Sequence, residues 1–166
     1  MARTETTILA DMMDKTRQLT RFYISNLKTV DPYEMIDFGG KKFNSVYWLT
    51  AHLIWAEDYL IVQGTGGKSV APDWAAHYMI KSDSSLHEGH GDFKSLLADM
   101  KRVHEEAMTY LRAQDDTILD KDNALGFHFG DGDASNRFIV MHAVRHEGGH
   151  SGNLAWLCKM HEIKLP

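Results

Sequence analysis

A chain of 166 residues has room for one sizeable core and little for a second, so one domain over residues 1–166 is expected. Its formal charge of −5, with no Lys/Arg cluster, argues against a nucleic-acid partner. The longest apolar run, residues 47–62, is broken by His52, Glu57 and Asp58, which argues against a membrane span. The first residues lack the apolar stretch of a signal peptide, and a single cysteine, Cys158, excludes an internal disulfide framework. A cytoplasmic location is therefore expected. Ten histidines against one cysteine predict that any metal site is built from nitrogen and oxygen, not thiolate.

From Thr4 to Val30 there is neither glycine nor proline. Leu9, Met12, Thr16, Leu19, Tyr23, Asn26 and Val30 keep the three-four spacing of a buried helical stripe. This predicts a long first helix, stopped by Asp31-Pro32. Residues 32–43 read as a loop with Gly39-Gly40 as its turn signal. Asn44 or Ser45 can cap a second helix running to about Gln63, with Leu49, His52, Leu53, Ala56 and Tyr59 or Leu60 on its buried stripe. Taken singly, His52 reads as a core histidine with a hydrogen-bond partner. Glu57 lies about 140° round the helix from it and is not an evident co-ligand.

Residues 64–91 are irregular, with a short helical turn at residues 74–80, and a connection of this length predicts a lid or pocket wall. His77, His87 and His90 read as surface residues. A third helix is predicted from Asp92 to Gln114, with His104 bordering its apolar face as a boundary residue. Residues 115–133 form a second irregular connection. Phe127-His128-Phe129 reads as a short extended piece, and Gly130-Asp131-Gly132-Asp133 as a turn lacking the remaining ligands of a calcium loop.

The last helix, residues 135–163, carries the chemistry. Ile139, Ala143, His146, His150, Asn153, Leu157 and Met160 continue an alternating stripe, so two histidines stand where Leu or Ile is usual. At i and i+4 they present two nitrogens from one face. The helix alone leaves two readings, metal ligands or core histidines satisfied by hydrogen bonds. Four amphipathic helices with no convincing strand predict an all-α, antiparallel four-helix bundle with long irregular connections.

In such a bundle His52 can meet His146 and His150, three neutral imidazoles with one corner left for water or substrate. His142 is excluded from that set, because it lies about 12 Å along the axis from His150 and off the stripe. His142 then reads as a rim group. The string His146-Glu147-Gly148-Gly149-His150 also matches the H-E-x-x-H pattern of zinc peptidases. No upstream sheet or further ligand supports a peptidase, but Glu147 stays a candidate catalytic base beside the metal.

The segments N-S-V-Y-W-L-T-A-H-L-I-W-A-E at 44–57 and H-A-V-R-H-E-G-G-H-S-G-N-L at 142–154 resemble the second-helix and last-helix signatures of the DinB-like superfamily. Helix order and chain length are similar as well. The resemblance implies a four-helix bundle binding a divalent metal, often zinc or nickel, through His52, His146 and His150. It also implies relatives that include bacillithiol S-transferases and a mycothiol-dependent maleylpyruvate isomerase, in which the metal activates a low-molecular-weight thiol. Other relatives are regarded as metal-dependent hydrolases, and many form homodimers. Ser151 and Asn153 depart from the family, where Arg and Gln are common. Gly148 and Gly149, between the ligands, predict close backbone or ligand approach.

Three functions follow as expectations. The first is a metal-dependent transferase acting on a small-molecule electrophile with a low-molecular-weight thiol. The second is a hydrolase of a small ester or amide using metal-bound water, with Glu147 or a loop carboxylate as base. The third is a bundle that binds metal or ligand without turnover.

Overall fold

The computed structural model describes residues 3–83, 85, 91–130 and 132–165, and the readings made above for His87, His90 and Asp131 fall outside them. Four helices form the bundle: α1 (Glu5–Asn26), α2 (Val46–Glu57), α3 (Phe93–Arg112) and α4 (Asn136–Met160). Each begins at a side-chain cap. Thr4, Ser45, Asp92 and Ser135 accept the backbone N–H of Thr7, Trp48, Ser95 and Phe138 respectively. Helix α1 packs chiefly on α4, and α2 on α3. Among the described residues, no helix is long and apolar enough to cross a membrane.

The ends differ from expectation in three places. Helix α1 stops at Asn26, ahead of Val30, where Ser25 and Asn26 both donate side-chain hydrogen bonds to the Phe22 carbonyl and compete with the ladder. Helix α2 is regular only to Glu57, then widens into a π-helical segment, Asp58–Gln63. There the Asp58 carboxylate turns to the following loop, accepting from Val70 N (2.7 Å), Ser69 Oγ (2.8 Å) and Gln63 Nε2 (2.7 Å). The loop before α2 holds a small antiparallel hairpin, β1 (Asp37–Phe38) and β2 (Lys41–Lys42), where no strand was expected. Gly39 and Gly40 turn it at φ of 64° and 80°, the left-handed pair that a two-residue hairpin turn requires.

The long connections are tied down by polar side chains. Residues 73–78 form a 3-10 turn and Asp116–Asp120 another, whereas residues 127–129 form no strand. Asn123, 5% exposed, anchors the second connection. Its Nδ2 donates to the carbonyls of Phe127 (2.8 Å) and Ala134 (2.6 Å), and its Oδ1 accepts from Leu125 N and Phe127 N. Asn123→Ala is expected to cost about 2 kcal/mol, since it strands buried backbone groups. Urea denaturation measures this, and a midpoint equal to wild type would refute the anchoring role.

The core itself is split. One apolar cluster gathers Ile24, Leu53, Met100 and Leu154; the other gathers Met13, Ile61, Met108 and Ile139. Between them lies a buried polar layer to which all four helices contribute: Arg17 and Thr20, Glu57, His104, and Glu147 with Ser151. This layer overturns the expected stripes of α1 and α4. Met12 and Leu19 are 49% and 45% exposed, while Arg17 is 1% exposed on the true inner face with Leu9, Met13, Thr20 and Ile24. On α4 the centre of the inner face is Ala143, Glu147, Ser151 and Leu154, and the histidines stand to one side. Helix α2 lies deepest, with every residue buried except Trp55, where a single buried stripe was expected.

Candidate metal centre

His52, His146 and His150 meet at the seam between α2 and α4. Each offers a ring nitrogen, and these atoms lie within 4.8 Å of one another. His52 Nε2 and His146 Nε2 are 3.2 Å apart. The ring centroids of His52 stand 5.0 Å from His146 and 4.9 Å from His150, and those of His146 and His150 are 4.6 Å apart. His52 is 3% exposed, whereas His146 and His150 are half-buried. The cluster thus has a closed inner side and an open outer one.

The outer parts of the rings are held too. His52 Nδ1 donates to the Tyr78 carbonyl at 2.7 Å, which leaves its Nε2 lone pair facing the cluster. Tyr78 closes the 3-10 turn Asp73–Tyr78, so the first long connection does supply part of the wall. Trp48 stacks on the His52 ring at 4.8 Å and Trp55 lies at 5.6 Å. Asn153 Nδ2 lies 3.2 Å from His150 Nδ1.

Electrostatics favour unprotonated rings. Burial, and then the neighbouring histidines, push His146 down to about 3. Burial, and then His52, push His150 down to about 4. Burial also lowers His52, against the opposing pull of the Tyr78 carbonyl. Neutral imidazoles are the form that binds metal. The donor set fits a divalent ion of borderline softness. Two nitrogens on one tetrahedral ion, each at about 2.0–2.1 Å, lie about 3.3 Å apart, close to the His52–His146 separation.

The same depression has a cost in acid. In the unfolded chain these rings titrate near 6.5, so below that pH the unfolded state binds protons that the folded state refuses. Stability of the metal-free protein is expected to fall as pH drops from about 6.5 towards 4. Thermal unfolding across that window should show a shallower decline for His146→Phe than for wild type, and parallel curves would contradict it.

Glu147 is not brought to this cluster. Its carboxylate points to α1, where Arg17 Nε lies 2.9 Å from Oε1, Arg17 Nη2 donates to Oε2 at 3.1 Å and Thr20 Oγ1 donates to Oε1 at 2.6 Å. One residue after His146 is about 100° round the helix, so the base role drawn from the H-E-x-x-H pattern has no geometric support. Glu57 faces the same guanidinium, with Oε2 2.9 Å from Arg17 Nη2. His104 keeps its expected boundary position, half-buried, but both ring nitrogens are engaged. Its Nδ1 contacts Glu57 Oε1 at 2.6 Å and its Nε2 contacts Asp14 Oδ1 at 2.9 Å. Asp14 in turn pairs with Arg112. Arg17 and Thr20 were invisible as interior groups in the sequence. The available signal was the run Leu9, Met13, Thr20, Ile24, which skips a turn at Arg17.

His142 stands outside the cluster, as expected. Its ring stacks on Phe127 at 5.2 Å, 6.0 Å from His146. His77 is exposed. Gly148 and Gly149 do not serve close approach of a neighbouring backbone: a methyl group at Gly149 meets nothing within 4 Å, and at Gly148 only the Thr16 side chain at 4.0 Å.

A family model for the DinB superfamily matches residues 12–154, from within α1 to beyond His150 on α4. The chain belongs to the DinB superfamily. Among curated proteins none matches it. The match spans all four helices and takes in the three histidines together with Arg17, Glu57, His104 and Glu147, so this member of the superfamily carries both the surface cluster and the buried polar layer within the matched region.

Proposed function

We propose that His52, His146 and His150 bind a divalent metal, zinc or nickel, and that the protein is a thiol-dependent S-transferase. The observation that carries the reading is the convergence of three neutral ring nitrogens from two helices with no carboxylate among them. A divalent ion held there would supply a Lewis acid that favours the ionised form of a thiol. The chain's own residues do the rest. The Tyr78 carbonyl and Asn153 fix two of the rings, while Trp48 and Trp55 keep water from the inner side of His52. In the transfer the thiol gives its proton to solvent, sulfur forms a bond to the electrophilic carbon, and the leaving group departs with its electron pair.

Hydrolysis is the less favoured chemistry at this site. Among the described residues, the carboxylate next in sequence, Glu147, is locked against Arg17. A free thiol ionises near pH 8.5 and needs little help, whereas water starts at 15.7 and gains more from a base. The test is metal analysis of protein purified without a nickel column, followed by consumption of an alkyl halide with and without glutathione, coenzyme A, bacillithiol or mycothiol. Turnover that requires both metal and a thiol is expected. Ester or amide cleavage without thiol would overturn the transferase reading, and failure to retain zinc or nickel would remove the metal site.

A further inference from the structure

A cavity of about 340 Å³ opens beside the histidine cluster, with Phe43, Leu49 and Leu157 on its floor and Lys41, Lys42 and Asn153 at its rim. It lies on the same seam. Leu49 is three residues before His52 on α2, and Asn153 three after His150 on α4, so both lie one helical turn from a cluster histidine. Asn153 joins the two regions, because its amide reaches His150 Nδ1. The floor is buried, with Leu49 and Leu157 each 1% exposed.

The rim is the unusual part. In a chain of net charge −5, two successive lysines of β2, one from each face of the strand, line the mouth of an apolar cleft that no carboxylate lines among the described residues. Neither lysine makes an ion pair with a described residue. The nearest acid in register, Asp37 opposite Lys42, has its Oδ1 accepting from Gly40 N at 2.9 Å inside the hairpin turn. An apolar slot at the small end of ligand-site volumes, with a lysine-bearing edge and no acid, complements a short amphiphile with one negative end.

We propose that this cleft binds a small organic carboxylate, its charge at the Lys41–Lys42 edge, its apolar body over Phe43, Leu49 and Leu157, and its far end directed past Asn153 to the histidines. The purpose of that placement rests on the metal-site reading; the binding does not. Hexanoate and its neutral counterpart 1-hexanol are the probes, titrated into zinc-free and zinc-loaded protein with side-chain amide and methyl NMR signals as the readout. Hexanoate should perturb Asn153, Leu49 and Leu157 in both forms, and more tightly than hexanol does. Lys41→Ala/Lys42→Ala should weaken hexanoate about fivefold and leave hexanol unchanged, and raised salt should act like the double variant.

Equal binding of the alcohol and the acid, an unaltered affinity in the double variant, or shifts that appear only with zinc would each overturn the proposal. The zinc titration separates the two readings. Protein that takes hexanoate in the cleft but no zinc loses the metal centre and keeps this site, and protein that takes zinc but no hexanoate does the reverse.

Discussion

Arg17→Met is expected to destabilise the metal-free protein by about 3–5 kcal/mol, the range for leaving a buried charge without its partner. Arg17 is 1% exposed, and its guanidinium is shared by Glu57 from α2 and Glu147 from α4, themselves 2% and 1% exposed. Methionine fills much of the same volume, so the loss reports charge more than packing. Two carboxylates would then face each other in the core with Thr20, Ser151 and His104 as their remaining support. Burial already raises the Glu147 pKa, which shows how poorly that position tolerates its charge.

Urea denaturation in the presence of chelator measures the effect without linkage to metal binding. The variant Arg17→Met/Glu57→Gln/Glu147→Gln should recover a substantial part of the loss, because it removes both signs of charge together. Arg17→Lys should fall between, since an ammonium cannot span two carboxylates as a guanidinium does. A midpoint for Arg17→Met within experimental error of wild type would mean that the polar layer is incidental to stability.

His52→Ala should weaken zinc or nickel binding by on the order of a hundredfold or more. Loss of a group that merely orients a ligand costs about 10–100-fold, and His52 itself supplies the deepest of the three nitrogens. Competition against a chelator of known affinity reads this directly. The pH dependence is the stricter test. With His146 pushed down to about 3, His150 to about 4 and His52 also lowered, protons compete for the ligands only in acid. Affinity should therefore hold from neutral pH to about 5 and then fall steeply. Ordinary exposed histidines would lose metal from about 6.5 downwards. An affinity that declines from 6.5, or a His52→Ala protein that still holds its metal, would dissolve the proposed centre.

The contrast between the two predictions follows how each site could be read. The histidine cluster was legible because α4 displays two of its members at i and i+4, a local regularity that survives any error in helix rotation. The buried layer was not. Arg17 lies 130 residues from Glu147 and 40 from Glu57. None of the three, taken in its own helix, points to a counter-ion on another. Choosing Met12 and Leu19 for the inner face of α1 followed apolar side chains to the wrong side, about one residue's rotation away. The same substitution of neighbours on α4 put His146 and His150 at the centre of the core, when Glu147 and Ser151 occupy it.

Local chemistry alone therefore determined four helices, the cap at Ser45 that opens α2, and the pair of imidazoles that α4 presents from one face. Caps and helical spacing act within a few residues, so they can be read along the chain. The tertiary structure decided which way α1 and α4 turn, that Glu147 serves an arginine and not the histidine cluster, and that the Lys41–Lys42 hairpin edges the cleft next to His150. Those outcomes depend on counter-ions and walls brought from other helices, and a buried charge becomes tolerable only once its distant partner has arrived.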